Sequence, residues 1–137
     1  MLKVNNVVAI PVSLGIDFFR YWFDVLHPFH GLSKGQVLVI ATFVKYRYEL
    51  SKSITDPKVL DEVLMSREVK NKIRDECGIS KGQFQVICSQ LRKKGLILGE
   101  RLNPKFIPKL DLDSKDFKLL ILFKFEDSIK EGVEGSQ

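Results

Sequence analysis

The chain has 137 residues, of which 45% are hydrophobic and 28% are charged, and its formal net charge is +5. This length supplies one hydrophobic core rather than two, and the composition excludes a disordered or fibrous chain. No apolar run approaches the roughly 18 residues that cross a bilayer and no signal peptide opens the chain, so we expect a single-domain cytoplasmic protein without membrane contact.

A run of β-branched residues near the N-terminus predicts a short strand. The run is interrupted by Pro11, and its members are Val4, Val7, Val8, Ile10 and Val12. Ser13 follows directly and is a candidate N-cap for a helix over residues 14–26. The sequence therefore predicts a strand and then a helix.

The predicted helix 14–26 is apolar on most of its circumference, with Asp17, Arg20 and Asp24 as its polar minority. A helix of this kind has to be enclosed by other protein. Two interpretations are open. Either it is the central core helix, or its aromatic side chains form a protein interface in a homo-oligomer. The candidate interface residues are Phe18, Phe19, Trp22 and Phe23.

Two helices with clear start signals complete the N-terminal part, residues 1–65. Ser33 and Gln36 have the spacing of a capping box and begin a long helix that continues to about residue 53. Asp56 followed by Pro57 is the second start signal, because proline is favoured at the first helical position. A short amphipathic helix is predicted there.

Residues 66–95 predict a helix-turn-helix. Ser66 is the candidate cap of a helix that ends at Gly78, a residue type that favours the left-handed conformation after a helix. Ser80 and Gln83 form a second capping box only a few residues later. A helix, a glycine turn and a capped helix in this order are typical of the helix-turn-helix.

Two further β stretches predict a wing after this unit. Residues 96–102 have the pattern of a small hairpin that turns at Gly99 and Glu100. Residues 117–125 predict a final strand that is buried on both faces, beside the N-terminal strand. The expected fold is mainly α with a small β-sheet (α+β): a winged helix-turn-helix over residues 66–125, an N-terminal strand and helical extension, and a flexible acidic tail over residues 126–137.

The second helix of this unit carries the main functional signal. Its apolar residues fall on one face, and no Asp or Glu occurs between Lys81 and Gly99. Residues 66–125 have 14 basic and 7 acidic side chains, whereas residues 1–65 have 7 and 6. Such a concentration of positive charge is typical of a nucleic-acid-binding surface. A solvated polar face is the alternative interpretation, because this fold also serves protein contacts.

The residue types on the outward face suit duplex DNA. Arginine pairs with guanine and glutamine with adenine in the major groove, while lysine and serine hold phosphates. The candidate DNA-binding residues are Ser80, Lys81, Gln85, Ser89, Arg92, Lys93 and Lys94 in the helix, with Arg101 and Lys105 in the wing.

Catalytic and metal-binding motifs are missing from the sequence. The spacings of His27, His30, Cys77 and Cys88 do not fit a compact zinc site, and we expect both cysteines to be reduced core residues. There is also no nucleophile elbow, phosphate loop or dinucleotide fingerprint. We therefore expect a protein that is not an enzyme and needs no cofactor.

Three segments resemble winged-helix proteins of bacteriophages and plasmids of gut Bacteroidales: residues 66–80, 90–97 and 101–108. The Asn-Pro-Lys-Phe piece at 103–106 is also similar to the wing of some plasmid replication initiators. Together with residues 8–19, nearly the whole chain is similar to short proteins of crAss-like phages.

This resemblance implies a winged-helix DNA-binding protein of a phage or related mobile element, acting in transcription or replication. It also implies an alternative, because tailed phages have small proteins of this size in rings between portal and tail. In that case the protein is a structural virion component, a head-tail connector or neck ring protein that contacts portal or tail proteins.

Overall fold

The computed structural model describes residues 6–111 and 113–126. This part of the chain is mainly helical with one small antiparallel sheet, which confirms the expected mixture of helix and strand. The helices are α1 Ile16–Val25, α2 His27–His30, α3 Lys34–Ser51, α4 Pro57–Leu64, α5 Arg67–Cys77 and α6 Lys81–Lys93. The strands are β1 Ile97–Leu98 and β2 Arg101–Leu102, and the turn Pro104–Phe106 is a 3-10 helix.

Helix α3 is the centre of the fold. Helices α1, α4, α5 and α6 all pack against it. Helix α3 is buried on nearly all sides along its first half. Thr42 is among its buried residues, and its hydroxyl donates to the Leu38 carbonyl oxygen at 2.7 Å. The buried apolar residues of α3 are Val37, Val39, Ile40, Ala41, Phe43 and Val44.

Helix α1 belongs to the core of the chain, so the interface prediction is corrected for its three buried aromatic residues. Phe19, Trp22 and Phe23 are buried against α3 and its neighbours, while Phe18 is partly buried. The Trp22 indole N–H donates to the carbonyl oxygen of Phe106 at 2.8 Å, which ties α1 to the segment after the hairpin. These contacts use the aromatic side chains inside a single chain.

The start of α1 also differs from the prediction. The N-cap is Gly15 rather than Ser13, and no side chain caps the helix. The chain after α1 forms the short helix α2. Its second residue is Pro28, and a missing N–H at this position breaks no helical bond. Gly31 then ends α2 with φ +62°.

The two strands predicted at the flanks, over residues 4–12 and 117–125, are wrong for the described single chain. Residues 6–13 and 116–126 have no strand pairing, and most of their apolar side chains are exposed. A strand forms only when a neighbouring strand accepts its hydrogen bonds, and β1 and β2 pair with each other elsewhere. Val4 and the tail beyond Glu126 lie outside the described residues.

The predicted helix pair and hairpin are confirmed. The Ser66 hydroxyl accepts from the Val69 N–H at 3.3 Å, and the Ser80 hydroxyl accepts from the Gln83 N–H at 3.1 Å. Gly78 ends α5 in the left-handed conformation, so α6 begins after a short turn. The hairpin pairs Ile97 with Leu102 and Leu98 with Arg101.

The turn at Gly78 gives a direct test of this geometry. Because its φ is +68°, Gly78→Ala is expected to lower the free energy of unfolding by about 1–2 kcal/mol. Gly82→Ala is the matched control: Gly82 lies in α6 with open space where the added methyl group would lie, so the helical gain of about 0.5 kcal/mol applies instead. Urea unfolding measures both, and equal midpoints would contradict the left-handed turn.

Candidate nucleic-acid interface

Helix α6 presents one polar face to solvent and one apolar face to α3. Phe84, Cys88 and Leu91 are buried, and the Phe84 ring stacks on Phe43 with centroids 6.0 Å apart. Side chains about four residues apart lie on the same side of a helix, so the polar residues form one continuous stripe. Its exposed members are Lys81, Gln85, Ser89, Arg92 and Lys93, as the sequence predicted.

The positive charges of this stripe are not neutralised within the described residues. The ion pairs found there are Lys45–Glu76, Arg47–Asp61 and Arg74–Asp75, none of which includes a residue of α6. Within this part of the chain, the cations of α6 are therefore free to meet an external anion. A phosphate that approaches α6 encounters no carboxylate on the helix itself, because no acid occurs from Lys81 to Gly99.

The first turn of α6 is held by a reciprocal cap. The Ser80 hydroxyl accepts from Gln83 N–H, while the Gln83 side-chain oxygen accepts from Ser80 N–H at 3.4 Å. The Ser80 oxygen is thus already engaged, although its O–H can still donate to a phosphate. The Gln83 side chain is used in the cap. In the first turns of α6, Gln85 is therefore the glutamine whose side chain can contact DNA from the outward stripe.

Lys94 is directed toward the protein rather than along the stripe. Its ammonium donates to the Gly31 carbonyl oxygen at 3.3 Å and to the Gln36 side-chain oxygen at 3.2 Å. The Gln36 amide nitrogen in turn donates to the Gln90 side-chain oxygen at 2.8 Å. This polar junction fixes the C-terminal end of α6 to the start of α3, and Lys94 has a positioning role there.

The role of Gln36 was missed by sequence reasoning beyond its part in a cap. Its side-chain oxygen accepts from Ser33 N–H at 3.0 Å, so one residue both caps α3 and joins it to α6. In the sequence, Gln36 is marked only by Ser33 three residues earlier, and this spacing indicates the cap alone. The partners Gln90 and Lys94 are 54 and 58 residues away and carry no local pattern that indicates the contact.

Removal of this junction is expected to cost measurable stability. Gln36→Leu should lower the free energy of unfolding by about 1–2 kcal/mol, because it removes the side-chain half of the capping box together with the bonds to α6. Gln83→Leu is the matched control, since Gln83 has the same cap position and is exposed. That variant should lose only about 0.5 kcal/mol in urea unfolding. Equal losses would show that the junction adds nothing.

The hairpin and the 3-10 turn after it have one exposed cation each. Strand β1 packs against α6, and Arg101 on β2 is exposed. Asn103 closes the hairpin, because its side-chain amide donates to the Gly95 carbonyl oxygen at 2.8 Å. Lys105 is exposed, with its ammonium 5.7 Å from the centroid of the Phe106 ring. Glu100 at the hairpin turn is the one acid of the hairpin, and its negative charge would repel an approaching phosphate.

His30 and the two cysteines have environments that do not suit metal binding or catalysis. Burial raises the pKa of both Cys77 and Cys88, which disfavours the thiolate that binds metals or attacks substrates. Burial lowers the pKa of His30, whose Nδ1 accepts from Leu32 N–H at 2.9 Å while Nε2 lies 2.6 Å from the Phe23 carbonyl oxygen. Among residues 6–111 and 113–126, no cluster of three or more His, Cys, Asp or Glu is placed to hold a metal ion.

Comparison of the chain with protein-family models, with curated proteins and with solved structures finds no match. Within the described ranges, none of the helices has the length and apolar character needed to span a membrane.

Proposed function

We propose that the protein is a winged-helix protein that binds duplex DNA through α6 and acts in transcription or replication of a phage or related mobile element. The observation that carries the proposal is the exposed stripe of α6. Its cations have no ion-pair partner among the described residues, and no acid interrupts them. A DNA phosphate backbone is the polyanion that such a stripe suits best.

The arrangement of the elements supports the same proposal. In a helix-turn-helix the second helix lies in the major groove, and α6 is the helix that follows a short turn and keeps one face exposed. Gln85 and Arg92 are the side chains suited to base edges. Lys81, Lys93 and Arg101 are suited to phosphates on either side of the groove.

A salt series on duplex DNA tests the proposal. The logarithm of the binding constant should fall with the logarithm of salt concentration, with a slope of about −0.9 for each phosphate neutralised. Lys81→Ala with Lys93→Ala should reduce that slope by about 2. The matched control is Lys52→Ala with Lys58→Ala. It removes the same charge from the C-cap of α3 and from α4, and it should leave the slope unchanged. Failure to bind at low salt would exclude the proposal.

A second candidate function is a structural virion component in a head-tail connector or neck ring. The exposed apolar residues of the two flanking segments favour it, because surfaces of this kind usually meet another protein. The resemblance to short proteins of crAss-like phages provides the context. Mass spectrometry of purified particles would separate the candidates: presence in a fixed ratio to the portal supports a virion protein, and absence leaves the DNA-binding proposal alone.

A further inference from the structure

The segment from Phe117 to Phe125, named here the C-terminal arm, exposes an unusual amount of apolar surface. Its exposed fractions rise from 43% at Leu119 to 96% at Phe125. The other exposed apolar residues are Leu120, Ile121, Leu122 and Phe123. Monomeric proteins rarely leave such a continuous apolar patch in water, so this segment is a candidate contact with another chain.

The arm has the sequence pattern of a strand. Its odd-numbered positions are all large and apolar, whereas its even-numbered positions include Lys118 and Lys124. Within the described residues no strand pairs with the arm, since the sheet consists of β1 and β2 bonded to each other. With respect to the described residues, its backbone N–H and C=O groups can therefore pair with a second strand.

We propose that the C-terminal arm pairs with the C-terminal arm of a second copy of this chain, as two antiparallel strands around a two-fold axis at Leu122. This register places Lys118 of each copy opposite Glu126 of the other. It also pairs Ile121 with Phe123, and Leu119 with Phe125. Aromatic and β-branched side chains are favourable partners across antiparallel strands, as are opposite charges.

Charge complementarity supports a second copy as the partner and disfavours the register centred on Ile121. With the axis at Ile121, Lys118 would face Lys124 twice, and like charges directly opposite are unfavourable. With the axis at Leu122, two Lys118–Glu126 pairs form instead. The N-terminal segment, residues 6–14, offers no such partner, because it contains no charged residue and is interrupted by Pro11.

The start of the arm is already positioned by α1. The Phe117 ring packs edge-on against Phe18 and Trp22, with centroids 5.4 and 5.5 Å away. In a strand the other odd-numbered side chains share the face of Phe117, so the apolar face of the ribbon turns toward α1. Helix α1 still exposes Tyr21 and Val25 there for the ribbon to cover. A two-stranded ribbon by itself is only marginally stable in water, and packing against α1 would supply the buried apolar surface that it needs.

Charge reversal tests the pairing. Light scattering after gel filtration should find the full-length chain as a dimer at tens of micromolar. Lys118→Glu and Glu126→Lys should each raise the dimer dissociation constant about 10-fold or more, because each puts like charges opposite in two symmetric pairs. The two changes together should return it to within about 3-fold of the unaltered chain. A monomeric unaltered chain, or a double variant as weak as the single ones, would overturn the proposal.

Disulfide formation tests the register. Residues opposite each other in antiparallel strands have Cα atoms about 4.5–5.5 Å apart, within reach of a disulfide. Leu122→Cys should therefore give a covalent dimer on mild oxidation. Leu120→Cys, opposite Lys124, is the matched control and should cross-link at least 10-fold more slowly. The unaltered chain, oxidised in the same way, shows how much cross-linking arises from Cys77 and Cys88. Equal cross-linking at positions 120 and 122 would contradict the axis at Leu122.

Discussion

Phe23→Ala is expected to lower the free energy of unfolding by about 3–5 kcal/mol, a large part of the stability of a domain of this size. The Phe23 side chain is 0% exposed and lies where α1 packs on α3. Its removal leaves a cavity that the surrounding helices fill only in part. Urea denaturation followed by far-UV circular dichroism at a fixed protein concentration measures the loss.

The same helix offers a control for this prediction. Arg20 is exposed, so Arg20→Ala should change the free energy of unfolding by no more than about 0.5 kcal/mol. The comparison separates the two interpretations that the sequence left open for α1. If both variants unfolded at the urea midpoint of the unaltered chain, Phe23 would not be a core residue, and the aromatic face of α1 would be available to a partner protein.

Gln85→Ala combined with Arg92→Ala is expected to remove sequence discrimination on DNA. Each bidentate contact to a base contributes about 1–3 kcal/mol of discrimination. The double variant removes two such contacts, so its preference for a selected duplex over a scrambled one should fall by about 100-fold or more. Both side chains are exposed, so folding should be unaffected. Dissociation constants for the two duplexes at one salt concentration give the ratio.

Lys81→Ala combined with Lys93→Ala is the matched control. Phosphate contacts carry no sequence information, so this variant should weaken both duplexes to the same extent and leave their ratio unchanged. Retention of the full preference by the Gln85, Arg92 variant would place base recognition outside α6. The hairpin with Arg101 would then be the next surface to alter.

Pairing of the C-terminal arms has a consequence for DNA recognition. Two chains related by a two-fold axis would present two copies of α6, and dimeric helix-turn-helix proteins meet half-sites one helical turn or a multiple of it apart. A dimer of this protein should therefore select a palindromic site. The arm variants that weaken the dimer should then also weaken binding to the full site more than to a half-site.

The helix boundaries of the middle of the chain were predictable because their causes are local. The cap residues Ser33, Ser66 and Ser80 bond to groups three residues away, and Gly78 adopts its conformation without help from distant residues. The outward stripe of α6 followed from helical spacing alone. The start of α1 was missed because Gly15, not Ser13, takes the N-cap position, and no side chain there forms a local bond to indicate it.

The flanking strands show where such local evidence ends. The N-terminal segment and the C-terminal arm have the residue types of strands, yet neither is a strand in the described chain. Strand formation depends on a second strand that supplies hydrogen bonds, and no property of a segment by itself indicates whether that partner is present. The alternating pattern in the arm therefore indicates that the arm can pair with another strand, and not that it does so within one chain.

The sequence by itself determined the helix pair, the hairpin and the acid-free face of α6, since caps, turns and side-chain spacing act within a few residues. Only the tertiary structure decided that α3 is the central helix, that Phe19, Trp22 and Phe23 are core residues, and that Lys94 bonds to Gln36. Burial and long-range hydrogen bonds depend on how separate elements pack, and residues 58 positions apart share no local pattern.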